Sequence, residues 1–238
     1  MTWPLIIATL SLAGFVQGLT GFGFGLVCMS LLPAILGVKH AAALSTVFAL
    51  IVTIATFIRV YRDYNWRQGL PFLVSSCLGV PVGVYFLEKS SEALLLKALG
   101  ALMVLFAARE FLLKSPVRSI SHVFSVPFGL FSGSLSGAFN LGGITTAMYA
   151  YAHRWSQGQI IAFLQVMLVT SCSLRLVFYN HFGYFDALSW QLGLAVMLPL
   201  FGAMALGHYL MRRVPPKNMR SSIFIFIGLA GIYYLLIH

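Results

Sequence analysis

The chain has 238 residues, 60% of them hydrophobic and 8% charged, with a formal net charge of +10. A soluble domain carries about 25% charged residues, so the composition excludes an ordinary water-soluble enzyme and predicts an integral membrane protein with almost no extramembrane part. In such a chain the basic excess marks anchoring at the cytoplasmic membrane face rather than a nucleic-acid partner.

Eight apolar segments are predicted, at residues 4–37, 40–60, 68–87, 93–113, 122–152, 158–180, 188–211 and 219–237. Met1–Pro4 has no Lys or Arg, so the first segment is read as mature protein and not as a secretory signal. The segments at 4–37 and 122–152 are too long for a single crossing. A helix rises 1.5 Å per residue, so the first would extend about 50 Å against a hydrocarbon core of about 30 Å. Each contains a glycine cluster near its middle: "GFVQGLTGFGFG" at Gly14–Gly25, and "SGAFNLGG" at Ser136–Gly143.

The basic residues set the topology. Arg59, Arg62 and Arg67 follow the second segment, Arg109, Lys114 and Arg118 the fourth, and Arg212, Arg213, Lys217 and Arg220 the seventh. The positive-inside rule makes these loops cytoplasmic. Segment five then starts inside, and segment seven must end inside. If segment six crosses once, segment five enters and returns to the same side as a helical hairpin, re-entrant or fully crossing, and Arg154 joins the inside. Lys39, Lys89 and Lys97 fall outside, and Arg175 lies within a span.

The two halves resemble each other. "GFVQGLTGFGFGLV" parallels "GLFSGSLSGAFNLGGI", "YNWRQGL" parallels "LSWQLGL", and "GVYFL" parallels "GHYLM". Trp66 and Trp190 are separated by 124 residues, as are Gly83 and Gly207. The expected fold is therefore an all-α integral membrane protein of two inverted repeats. Residues 1–119 form the first and 120–238 the second, each a broken or re-entrant hairpin followed by three crossings. Both termini are expected outside, and the two hairpins are expected to meet near the midplane. Inverted repeats with interrupted apolar segments at matching positions point to a transporter and its binding site.

The first of these stretches, continued as "GFVQGLTGFGFGLVCMSLLPAIL", resembles the first-helix motif of the sulfite exporter TauE/SafE family, also called the toluene sulfonate uptake permease family. "GLFSGSLSGAFNLGGITTAMYAY" is similar to its second motif, and Trp66 and Trp190 fit as well. The resemblance spans essentially the whole chain. It implies transport of a small anion such as sulfite or a sulfonate across the bacterial inner membrane, commonly by export. This chain departs from the second motif in carrying Asn140 where the family usually has glycine and Ile144 where proline often follows the glycine pair.

The chemistry expected of the residues fits an anion. The spacing of Gly14/Gly18 and Gly129/Gly133/Gly137 suits close helix contact. Gly21-Phe22-Gly23-Phe24-Gly25 and Asn140-Leu141-Gly142-Gly143 read as breaks whose free N–H groups and positive dipole end suit an anion. Irregular backbone at membrane depth occurs only inside protein or beside a water-filled cavity. Gln17 and Thr20 flank the first break; Ser132, Ser134, Ser136, Thr145 and Thr146 flank the second. Their hydroxyls and amides can donate to sulfonate-type oxygens, or the hydroxyls can bond their own helix carbonyls. Arg175 either faces the pathway or snorkels to the outer surface, and Gln165, Thr46 and Thr53 are further candidates for lining the path.

Other classes lack their residues. The five carboxylates, Asp63, Glu88, Glu92, Glu110 and Asp186, sit in loops or near segment ends, so no mid-depth proton relay is expected. Of the histidines, His208 is expected to be the most interior. No His or Cys spacing suggests a metal, and Cys28, Cys77 and Cys172 read as packing residues. No Walker A sequence or catalytic triad is present. The expectation is a non-enzymatic secondary transporter without cofactor. Its partners are a small anion and the bilayer, with homo-oligomerisation left open. The alternatives are an anion channel or uniporter, or the membrane subunit of a redox or enzyme complex.

Overall fold

Apolar sequence at helical length gives helices almost throughout the computed structural model, which describes residues 3–112, 121–153, 155–185, 188–211 and 216–237. No strand occurs among the described residues. Lys114, Arg118, Arg154, Arg212 and Arg213, and the side chains of Lys217, Arg220 and Trp190, lie outside them.

The first overlong segment divides into α1 (Trp3–Thr20), α2 (Phe24–Leu31) and α3 (Pro33–Leu36). There follow α4 (Val38–Val60), α5 (Trp66–Lys89) and α6 (Glu92–Leu112). The second overlong segment is likewise divided, into α7 (Ser125–Phe139) and α8 (Gly142–Tyr151), before α9 (Gln157–His181), α10 (Leu188–Met211) and α11 (Pro216–Ile237). Five stretches among the described residues are long and apolar enough to cross a membrane: Trp3–Thr20, Val38–Asp63, Trp66–Lys89, Gln157–His181 and Gly193–Leu210. With Leu194 and Leu198 each 85% exposed and Leu236 80% exposed, the apolar outer surface is one that only lipid would solvate. This is an integral membrane protein.

The packing units do not follow the sequence halves. One comprises residues 1–41, 89–115 and 187–238; the other comprises 42–88 and 116–186. In the first, α1 lies on α10 and α6 lies on α11. Gly18 faces the carbonyl of Met204 so closely that an added methyl would collide, Gly207 meets Phe15 O in the same way, and Gly14 packs on the side chain of Leu200 with its carbonyl close by. Gly100 and Gly231 give α6 and α11 a similar close approach, and Tyr234 Oη donates to Ser30 O at 3.0 Å.

The second unit repeats the α1–α10 seam in α7 and α5. Gly133 and Gly137 abut the carbonyls of Ser76 and Val80, and Gly83 abuts Ser134 O. The registers coincide. Gly14 and Gly18 match Gly133 and Gly137 at an offset of 119, and their partners Leu200 and Met204 match Ser76 and Val80 at an offset of 124. The second offset is the one already visible between Gly83 and Gly207. Small residues let backbones meet where lipid supplies no hydrophobic driving force between helices.

Local chemistry fixes the ends of α9. Ser156 Oγ accepts from Gln159 N at 3.3 Å while Gln159 Oε1 accepts from Ser156 N at 3.0 Å, a capping box. Just past the C-terminus, Tyr184 Oη donates to the Glu88 carboxylate. Burial, followed by this bond and the Glu88 charge, pushes the Tyr184 phenol above its ordinary value. A raised tyrosine contributes stability that is fully present below its unfolded value, about pH 10, and is lost as the pH rises through the folded one. Tyr184→Phe is therefore expected to cost about 1 kcal/mol, with the same loss at pH 7 and pH 9, measured by thermal unfolding in detergent. A loss that vanishes by pH 9 contradicts this.

Candidate functional site

Both overlong segments break at corresponding places. α1 ends at Thr20, and Gly21 (φ 76°) and Gly23 (φ 109°) turn the chain into α2. α7 ends at Phe139, and Asn140 (φ 58°) turns it into α8. Asn140 lies 119 residues after Gly21, the offset of the glycine seams. The amides match as well, Gly21 N donating to Gln17 O at 2.8 Å and Asn140 N to Ser136 O at 3.0 Å. Asn140 is the one described non-glycine residue at positive φ, a conformation that asparagine tolerates better than most residues.

At the first break Gln17 is 3% exposed, and its carboxamide spans the gap. Nε2 donates to Gly21 O at 3.1 Å, and Oε1 accepts from Phe24 N, the first amide of α2, at 3.2 Å. Thr20 Oγ1 donates to Val16 O at 2.9 Å and contacts Phe22 O. Val16, Thr20, Phe22, Gly23, Leu26, Ile223 and Phe224 line a small, partly open lipophilic recess beside the turn.

At the second break polar groups converge from three other elements. Asn140 Nδ2 donates to Ser45 Oγ of α4 at 3.1 Å. Gly142 O accepts from Ser132, Thr145 and Thr146, each at 2.9 Å, which ties the start of α8 to α7. A methyl on Gly142 would lie 2.5 Å from Ser132 O, so only glycine fits there. Gly143 packs against Leu168 of α9, one turn beyond the fully buried Gln165.

Arg175 of α9 is fully buried. Its Nη1 donates to Ser136 O at 3.0 Å, the same carbonyl that accepts Asn140 N. Nε donates to Ser171 O at 3.3 Å and Nη2 to Cys172 Sγ at 3.0 Å. Tyr179 Oη, one turn further on, donates to Gly137 O at 2.8 Å. The guanidinium thus lies at the negative, C-terminal end of α7, where a cation is favoured. Among the described residues no carboxylate pairs with it.

Ser136, Asn140, Gly142, Gly143, Thr145 and Arg175 are thus brought together within one unit, and Gln17, Thr20, Gly21, Phe22 and Gly23, separately, within the other. Thr46 and Thr53 bond their own helix, through Ala42 O and Ala49 O, as does Ser134 through Leu130 O. Ser45, Cys172 and Tyr179 were not anticipated. Ser45 adjoins the Thr46 that was singled out, and Cys172 precedes Arg175 by one helical turn; that spacing was the available signal. His208 is exposed, contrary to its expected interior position, because α10 turns Gly207 toward α1 and the next residue away. No cluster of potential metal ligands occurs among the described residues.

The family model described as Sulfite exporter TauE/SafE matches residues 6–234. No curated protein matches the chain. No solved structure matches it either.

Proposed function

The chain belongs to the sulfite exporter TauE/SafE family, and from that premise we propose that it is a secondary transporter that binds a small sulfur-containing or organic anion, such as sulfite or a sulfonate, at the second break. The observation that carries this reading is Arg175, a fully buried guanidinium with no carboxylate partner among the described residues. A charge in a span costs about 3 kcal/mol or more unless paired or wetted. Carbonyl dipoles meet part of that cost here. An anion beside the guanidinium supplies the rest. Asn140 and the first amides of α8 complete the donor set, since no side chain of the N-cap residue Leu141 caps that helix.

The direction is export across the bacterial inner membrane, which the interior-negative potential favours for an anion. Both termini lie outside. The matched registers of the α1–α10 and α7–α5 seams support the two repeats, and the positive-inside rule supports their inversion. An enzymatic role finds no nucleophile with a paired base at the site.

The test is thermal stabilisation of the purified protein by sulfite, thiosulfate, sulfonates and carboxylates, with Asn140→Gly as the companion variant. Glycine keeps the positive φ and removes only the amide. Its apparent Kd for the best anion is expected to rise about tenfold, the worth of a hydrogen bond of about 1.4 kcal/mol. Stabilisation by hydrophobic cations alone would overturn the reading. Counterflow separates carrier from channel, because only an alternating-access carrier accelerates exchange.

A further inference from the structure

The two breaks share a position but not a chemistry. At the first, the leading amide of α2, Phe24 N, already has an acceptor in Gln17 Oε1, and the carbonyl that the turn exposes, Gly21 O, already has a donor in Gln17 Nε2. One carboxamide closes both valences, is 3% exposed, and joins the end of α1 to the start of α2. The residue at the corresponding place in the second repeat, 119 positions on, is Ser136. A serine side chain is too short to bridge such a gap, and there the guanidinium of Arg175 meets the Ser136 carbonyl instead.

We propose that the first break is a self-closed pivot and not a second anion site, with Gln17 as the positioning residue that fixes the angle between α1 and α2. This rests on the reading of the second break as the substrate site. A side chain hydrogen-bonded at both ends acts as a strut. It resists separation of the two legs and leaves the first amide of α2 nothing to offer a ligand. One anion is then bound per chain, at the second break, and Gln17 acts on the rate of the conformational cycle through the backbone it holds.

Two measurements test this. In proteoliposomes, Gln17→Met, which keeps the shape and removes both hydrogen bonds, is expected to lower Vmax about tenfold while KM and the anion Kd stay within about threefold of wild type. Asn140→Gly is expected to do the reverse, raising KM and Kd. The second measurement uses the wild-type chain and does not depend on a variant folding. Hydrogen exchange of peptides spanning 20–26 is expected to be slow without anion and unchanged at saturation, whereas peptides spanning 140–146 gain protection. A Kd raised tenfold or more in Gln17→Met, or new protection of 20–26 on adding sulfite, overturns the pivot, as does an unchanged Vmax in the variant. If wild type binds no anion at all, the reading of the second break has failed instead, which separates the two outcomes.

Discussion

Arg175→Gln is expected to abolish measurable anion binding while leaving the protein folded. Truncating one partner of a buried, hydrogen-bonded charge pair costs about 2–5 kcal/mol, and each 1.4 kcal/mol is a factor of ten. Affinity for sulfite should therefore fall at least about 25-fold. Two opposing terms act on stability without ligand. The substitution removes the bonds to Ser136 O, Ser171 O and Cys172 Sγ, each worth about 1 kcal/mol net. It also relieves the burial of a charge, worth about 3 kcal/mol in a span. They roughly cancel, so the melting temperature of the anion-free protein should move little while its rise on adding sulfite disappears. Arg175→Lys keeps the charge but loses the planar fork that reaches Ser136 O and Cys172 Sγ together, and should retain weak binding. Wild-type affinity in Arg175→Gln, by titration calorimetry, would remove the guanidinium from the site.

The membrane class and the two interruptions were legible in the sequence because both rest on quantities that one dimension preserves. Segment length against bilayer thickness exposed 4–37 and 122–152, and the glycine clusters lay where α1 and α7 end. The geometry at each break was less legible, because it depends on which atoms face the gap. The sequence places an amide side chain at each break, Gln17 beside the first and Asn140 in the second. One uses its side chain to span its own turn, while the other donates to Ser45, which lies 95 residues earlier in the chain. Sequence alone leaves Arg175 open between pathway and surface; its burial against the carbonyl end of α7 is set by a tertiary approach that helical periodicity does not encode. His208 fell to the same limit: along an apolar helix, which residue turns inward is decided by the neighbouring helix.

The glycine seams carry the other large effect. Gly137→Ala and its counterpart Gly18→Ala are each expected to destabilise the protein by about 2 kcal/mol. Alanine is the better helix former by about 1 kcal/mol, so a glycine used only as a flexible link would give the opposite sign. At these two positions the new methyl would enter the space of Val80 O and Met204 O. Backbone oxygens cannot rotate away as a side-chain tip can, and overpacking of this kind costs about 1–3 kcal/mol, sometimes more. The internal control is Gly202, on α10 itself, where an added methyl meets nothing within 4 Å. Gly202→Ala should be neutral or stabilising by up to about 1 kcal/mol. The three variants, compared by thermal unfolding in one detergent, separate contact from propensity. If Gly18→Ala and Gly137→Ala behave like Gly202→Ala, the seams are not close-packed and the matched registers lose their energetic meaning. If the two seam variants fall together and the control does not, the two units rest on equivalent backbone contacts. Gly133→Ala and Gly14→Ala, one turn earlier and against Ser76 O and Leu200, should then follow in the same direction.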